Sequence, residues 1–292
     1  MRTTTGAGRM ALIGMAALGA VTATAETHRI WPEGKTPFFK EVGAEKYLET
    51  TDDIERITNV SVPTVTIQRA PSKGRPAPAV VICPGGGYGI LAWNHEGIDV
   101  GRWLMGRGVT GVLLKYRVPD QRDAALADAQ RAISWVRANA KKLNVDPAQV
   151  GIIGFSAGAN LTARTATNSG RRIYEPVDDV DKLSCRPDFQ MPIYPWELVP
   201  GDCSEKRLPL TLRPEFPVDA KTPRAFIVQA EDDGVHVENG LAYYAALKFA
   251  GVPAEMHLFE RGGHGYGMFK TNQPTDVWPA LAEVWLDSFL KK

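Results

Sequence analysis

Ser156 stands between two glycines in the run Gly154-Phe155-Ser156-Ala157-Gly158. A serine on so tight a turn can carry its hydroxyl out of the backbone as a nucleophile, the flanking positions admitting only small residues. A hydroxyl is a poor nucleophile at neutral pH. The chemistry therefore needs a base to take its proton and an acid to orient that base and stabilise its cation. His264, in Arg261-Gly262-Gly263-His264-Gly265-Tyr266-Gly267, is the base candidate. His28, His95, His236 and His257 do not occupy a comparable loop after a late strand. Asp232 or Asp233, just past the apolar run Ala225-Phe226-Ile227-Val228-Gln229, is the acid candidate, with Glu231 a weaker third. The charge that develops on an attacked carbonyl needs pre-aimed N–H donors. Cys83-Pro84-Gly85-Gly86-Gly87-Tyr88 can supply them from Gly86 and Gly87, together with the N–H of Ala157, because glycines let backbone approach a substrate closely. The chemistry expected of this set is two-step acyl transfer through Ser156, with no cofactor.

These residues must be held by regular elements. Val150-Gly151-Ile152-Ile153 is a β-branched apolar run that predicts a buried parallel strand leading into the serine turn, and the Ala-rich segment 157–167 predicts the helix leaving it. Further strands are expected over 61–68 (an edge strand, since it carries Pro63), 79–83, 109–116, 189–194, 225–230 and 256–259. Helices are expected over 97–107, 122–143, 237–250 and 277–290, the second with Ala125, Ala129, Ile133 and Val136 on one stripe. Strands alternating with helices predict an α/β fold with a mostly parallel, doubly wound sheet flanked by helices. The segment 171–222, rich in proline and charge, breaks that rhythm and predicts a cap-like insertion over the active site with one strand embedded. The serine, the acid and the histidine each follow a strand, in the chain order Ser, Asp, His.

Composition narrows the partners. A formal net charge of +1 over 292 residues gives no field for nucleic acid or an anionic membrane. Arg2, Arg9, the apolar run 10–21 and Ala23-Thr24-Ala25 have the layout of a cleavable signal peptide, too short to span a bilayer. Cleavage near Ala25 leaves residues 26–292 as one catalytic domain, exported to the periplasm or secreted. Of the three cysteines, Cys83 closes an apolar strand and reads as a buried thiol. Cys185 and Cys203 flank an irregular segment and are candidates for a disulfide. No clustered His/Cys spacing predicts a metal site. Asp128 and Arg131 fall on one helix face and predict an ion pair.

Several short stretches together resemble the α/β-hydrolase esterases of the acetyl xylan esterase and bacterial feruloyl esterase type, over roughly Ile30 to the C-terminus. They include Trp31-Pro32-Glu33-Gly34, Cys83 to Tyr88, Glu96-Gly97, Leu114-Lys115-Tyr116-Arg117, Asp128 to Ala132, Gly154 to Gly158, Arg186-Pro187-Asp188-Phe189, Ile193-Tyr194-Pro195, Val237-Glu238-Asn239 and Gly262 to Gly265. The resemblance implies an exported serine esterase that removes acetyl, or sometimes feruloyl, groups from plant polysaccharide. Within such a group the glycine run takes the place of the HGGG motif, with Pro84 where histidine would stand. The acid-loop spacing to Val235 and Asn239 favours Asp232, leaving Asp233 as a solvated turn residue. Tyr88, Trp93 and Trp196 are candidates to line an acyl or sugar pocket. Ala159-Asn160 departs from the Gly-His that often follows the elbow, and His236 stands where proline is common. A general short-chain carboxylesterase, a serine peptidase and a non-catalytic carbohydrate-binding protein are the competing readings.

Overall fold

The computed structural model describes residues 26–71 and 74–291. The expected signal peptide, residues 1–25, lies outside the described residues. Nine apolar positions in the middle of the chain, from Ala79 to Cys83 and at Val150, Ile152, Ile153 and Phe155, are wholly shut from solvent. That is the pattern of strands covered on both faces, and the structure makes them the centre of a sheet. In chain order the elements are β1 (Glu26–Arg29), β2 (Lys46–Leu48), β3 (Arg56–Thr58), β4 (Thr64–Gln68), β5 (Ala77–Cys83), β6 (Leu91–Ala92), α1 (Asp99–Gly106), β7 (Thr110–Lys115), α2 (Arg122–Ala138), α3 (Ala140–Leu143) and β8 (Val145–Phe155). They continue with α4 (Ala157–Thr167), β9 (Phe189–Ile193), β10 (Arg224–Ala230), α5 (Glu238–Phe249), β11 (Ala254–Phe259) and α6 (Trp278–Asp287).

The main sheet runs β1-β4-β7-β5-β8-β9-β10-β11, antiparallel at β1/β4 and β4/β7 and parallel from β7 onward. Strands β2, β3 and β6 form a small separate sheet. Register decides what meets at the carboxyl edge. Cys83 lies opposite Gly154, Phe155 opposite Ile193, and Ile193 opposite Val228. The glycine loop after β5, the serine turn after β8 and the acid loop after β10 therefore open at one level.

Four expectations are corrected. The strand around residues 64–68 is not at the edge, because β1 pairs along it antiparallel and places Pro63 just before the ladder. The long helix breaks at Asn139, and Asn144 then takes a left-handed turn into β8. Asp128 and Arg131 do not pair with each other. Asp128 accepts from Arg117 at 2.8 Å and from the Trp31 indole at 2.7 Å. Arg131 instead forks onto Asp178 at 2.6 and 2.7 Å. Both members of the Arg117–Asp128 pair are fully buried, so no water can stand in for either charge if the other is lost. Burial pushes the Asp128 carboxyl up, against the pull of Arg117.

The fourth correction is the Cys185–Cys203 disulfide. Cys83, Cys185 and Cys203 are all free thiols. The buried Cys185 Sγ faces the carbonyl of Ser169, while the exposed Cys203 belongs to a loop whose carbonyl meets the His236 ring. The segment 171–222 divides in two around β9. Its first part is tied along α2, where Arg172 donates to Ser134 Oγ and Arg137 to the carbonyls of Ser184 and Arg186. Its second part passes the carboxyl edge, where Asn239 Oδ1 accepts the N–H groups of Leu198 and Val199.

Candidate active site

Close packing shapes the serine turn. A Cβ on Gly154 would run into the backbone of Gly158, and one on Gly158 into the carbonyl of Cys83. Neither position tolerates a side chain, so strand, turn and helix touch directly. Ser156 itself takes φ 53°, ψ −117°, a strained conformation for a residue with a side chain. The strain is held by the Ser156 N–H, which donates to Ile193 O at 3.1 Å. Its Oγ lies 2.8 Å from His264 Nε2.

The other face of the imidazole meets Asp233. Nδ1 is 2.9 Å from Oδ1 and 3.0 Å from Oδ2 of that carboxylate. Asp233 is buried, and the Val235 N–H donates to its Oδ1 at 2.9 Å. The expected partner, Asp232, points elsewhere. It is exposed, and its Oδ1 accepts the N–H groups of Gly262 and Gly263 at 2.9 and 2.8 Å. The two neighbouring acids thus hold the same loop in different ways, one on the ring and one on the backbone leading to it. The physical reason is local: after Ala230 the chain turns, with Asp233 N–H bonded back to Ala230 O, and that turn sends residue 233 inward. The residues whose spacing favoured Asp232 serve Asp233 instead, Val235 through its N–H and Asn239 by gripping the carbonyls of Val235 and His236.

A second, buried layer joins the loops. Glu96 Oε2 accepts the Gly85 N–H at 2.7 Å, and Glu96 Oε1 accepts the Tyr194 hydroxyl at 2.7 Å. Tyr194 Oη in turn accepts the Gly267 N–H at 2.9 Å, and its ring meets the His264 ring edge-on at 5.0 Å. One carboxylate therefore fixes the glycine loop and, through a tyrosine, the histidine loop. Burial and the adjacent carboxylate hold the Tyr194 phenol well above its ordinary value, so it stays a donor. His95 adds a contact, its Nε2 lying 3.1 Å from Gly265 O. Glu96 was visible in the sequence only as part of a matching dipeptide. Nothing in the spacing showed that its side chain reaches two loops.

With the Gly85 N–H taken, the loop presents the next two. Among the described residues no backbone acceptor takes the N–H of Gly86, Gly87 or Ala157. Gly86 (φ 125°) and Gly87 (φ 61°) hold conformations that side-chain-bearing residues rarely adopt, and Ala157 is the first residue of α4, whose N–H has no intrahelical partner. The three expected donors therefore sit on the two loops that flank the Ser156 hydroxyl. That arrangement suits an oxyanion.

The aromatic candidates separate. Tyr88 is buried; its hydroxyl donates to Asn160 Oδ1 at 2.9 Å, and its ring lies 4.8 Å from the Arg122 guanidinium carbon. Trp196, half-buried, meets the same guanidinium at 5.4 Å. Trp93 is not brought to the triad. It is buried near Gln68, Ile98, Met105 and Leu113, at a separate groove over β4 and β7. Asn160, one of the departures noted in the sequence, binds Tyr88 through Oδ1 and the carbonyls of Trp196 and Glu197 through Nδ2. Among the described residues no group of His, Cys, Asp and Glu is placed to hold a metal ion.

Residues 65–192 match the BD-FAE family. The chain is 32% identical over 208 residues to an acetylxylan esterase of Xylanibacter ruminicola, a match covering 65% of this chain and 41% of that protein. It therefore spans less than half the length of that relative. It is 30% identical over 229 residues to the carboxylesterase NlhH of Mycobacterium tuberculosis, covering 70% of each. The acetyl ester-xyloside bifunctional hydrolase from Caldicellulosiruptor lactoaceticus superposes with a TM-score of 0.71 at 32% identity, over 90% of this chain and 96% of that one. The chain belongs to the α/β-hydrolase esterases.

Proposed function

We propose that this protein is a serine carboxylic-ester hydrolase that removes acetyl groups from a xylan-type plant polysaccharide through an acyl-enzyme. The observation that carries the reading is the unbroken relay Ser156 Oγ, His264 Nε2, His264 Nδ1, Asp233, with steps of 2.8 and 3.0 Å. With its proton on Nδ1 donated to Asp233, the imidazole offers a lone pair to the serine hydroxyl. Ser156 attacks the ester carbonyl as His264 takes its proton. The N–H groups of Gly86, Gly87 and Ala157 receive the oxyanion. His264 then returns the proton to the departing sugar hydroxyl. Water, deprotonated by the same ring, attacks the acyl-serine and releases acetate and free Ser156.

The acetylated-sugar substrate rests on the names of the Xylanibacter and Caldicellulosiruptor relatives. The mycobacterial carboxylesterase supports a second reading, a hydrolase of general short-chain esters, and the BD-FAE match keeps feruloyl esters beside it. The layout of residues 1–25 supports export after cleavage near Ala25, and the part of 171–222 that passes the carboxyl edge supports its reading as a partial cap. Acetate release from acetylated xylo-oligosaccharides, compared between wild type and Ser156→Ala, tests the proposal. Release by wild type alone supports it. Turnover of p-nitrophenyl acetate without release from the oligosaccharide moves the substrate to the small esters.

A further inference from the structure

Gly265 directly follows the catalytic base, and its carbonyl is held from outside the loop. His95 Nε2 lies 3.1 Å from Gly265 O. A carbonyl only accepts, so the His95 ring carries a proton on Nε2 and donates it there. The same residue grips the loop in two more ways. Its own carbonyl accepts the Met268 N–H at 3.0 Å, and its ring stacks on Phe269 with centroids 4.5 Å apart and planes 8° from parallel. A Cβ on Gly267 would come within 2.6 Å of His95 Cδ2, so ring and loop backbone are in direct contact. His95 is 1% exposed and has no surface to offer a substrate, so it acts on the loop.

The loop depends on such holds. Gly265 (φ 78°) and Gly267 (φ 47°) lie in the left-handed region, and glycine has more backbone freedom to lose than any other residue. Before His264, Asp232 fixes the N–H groups of Gly262 and Gly263. After it, His95 takes the Gly265 carbonyl, while Tyr194 and the Trp278 indole take the N–H and carbonyl of Gly267.

His95 is itself set by a wide turn. Residues Asn94–Ile98 form a π-helix, with the Ile98 N–H donating to Trp93 O at 3.0 Å. Such turns are rare and recur at functional sites. In an α-helix consecutive side chains diverge by about 100°. Here the adjacent His95 and Glu96 are both buried against catalytic loops, His95 on the histidine loop and Glu96 on the glycine loop and Tyr194. Asn94 anchors the turn from the other side, its Oδ1 accepting the Glu55 N–H at 3.1 Å and its Nδ2 donating to Asp53 O.

We propose that His95 is a positioning residue for the general base: its Nε2–H, through the Gly265 carbonyl, fixes the direction in which His264 meets Ser156 and Asp233. Because this role rests on the acyl-transfer reading above, one readout is chosen that does not depend on turnover. Two variants divide hydrogen bond from packing. His95→Phe keeps a flat ring against Phe269 and removes the donor. His95→Gln removes the ring and returns an amide donor near the Nε2 position. A misplacement of about 1 Å in a catalytic group can cost roughly 100-fold in rate. With p-nitrophenyl acetate, kcat of His95→Phe is therefore expected to fall about 10–100-fold with KM within about twofold, and His95→Gln to recover most of that loss. Thermal melting checks that both variants fold. Proton NMR supplies the second readout: the downfield line of the His264 Nδ1–H held by Asp233 is lost or shifted in His95→Phe and kept in His95→Gln. A defect that follows packing, greater in His95→Gln than in His95→Phe, overturns the proposal, as does a full rate in His95→Phe. If wild type hydrolyses no ester while the downfield line still follows the donor, the esterase reading fails and the positioning role stands. If wild type hydrolyses the ester and neither rate nor line follows the donor, the positioning role fails and the esterase reading stands.

Discussion

Replacing each of the two adjacent acids with its amide separates their roles sharply. In Asp233→Asn the side chain must still satisfy the Val235 N–H, which Oδ1 accepts at 2.9 Å, so the amide oxygen turns there. The NH2 group is then left facing His264 Nδ1, 3.0 Å away in the parent contact. An amide donor forces Nδ1 to accept, which moves the ring proton to Nε2, the atom that must take the serine proton. The comparable change in a serine-protease triad lowers kcat about 10⁴-fold, so a loss of that order, about 5 kcal/mol of barrier, is expected here. In Asp232→Asn the oxygen that accepts from Gly262 and Gly263 survives. Only the charge assistance goes, a difference of roughly 1 kcal/mol per hydrogen bond, felt on the loop and not on the ring. Its kcat should fall no more than about tenfold. Steady-state hydrolysis of p-nitrophenyl acetate measures both, with thermal melting to confirm folding. A 10³-fold loss in Asp232→Asn beside a near-normal Asp233→Asn would refute the assignment.

Other outcomes follow from the same contacts. Glu96→Gln leaves one acceptor where the Gly85 N–H and the Tyr194 hydroxyl need two, so kcat on the same ester should drop about 10–100-fold with KM little changed. Rescue of that loss by Glu96→Asp, or a change confined to KM, would remove Glu96 from loop positioning. Asp128→Ala strands the Arg117 guanidinium in the core and should cost about 3–5 kcal/mol in urea unfolding; less than 1 kcal/mol would mean the pair is dispensable. The Arg131 guanidinium holds the Asp178 carboxyl below its ordinary value. A depressed carboxylate adds stability above its unfolded value, roughly pH 3.9, and loses it as pH falls through the lower folded value. Asp178→Asn should therefore be less stable than wild type at pH 7 and converge with it below about pH 4, and parallel curves across that window would contradict the role of the pair.

How far the sequence could be read depended on whether a residue acts through its neighbours in the chain or across it. Gly154 to Gly158 and the strand before them are local, and the strand–turn–helix unit was legible from them. The order of serine, acid and histidine along the chain was equally plain. The choice between Asp232 and Asp233 was not, because it depends on how one turn after β10 is folded against Ala230, and both residues are acids at the same strand end. The partners of Asp128 and Arg131 were misread for a related reason. Helix spacing shows which side chains share a face, but Arg117 and Asp178 reach that face from elsewhere in the fold. Proline at 63 suggested an edge, while the covering strand β1, Glu26–Arg29, is short and polar and carries no apolar pattern to announce it. Glu96 and Tyr194 stood out only as members of matching stretches, with no sign of their roles, since a buried polar residue is understood only when its distant partner is seen.

The central claim is that Ser156, activated by His264, is the residue that becomes acylated. A fluorophosphonate probe followed by peptide mass spectrometry tests it most directly, because the probe bonds only to an activated hydroxyl. One adduct is predicted, on the peptide containing Ser156, absent in Ser156→Ala and strongly slowed in His264→Ala. Labelling at another serine, or an unlabelled protein that still hydrolyses p-nitrophenyl acetate, would contradict the account.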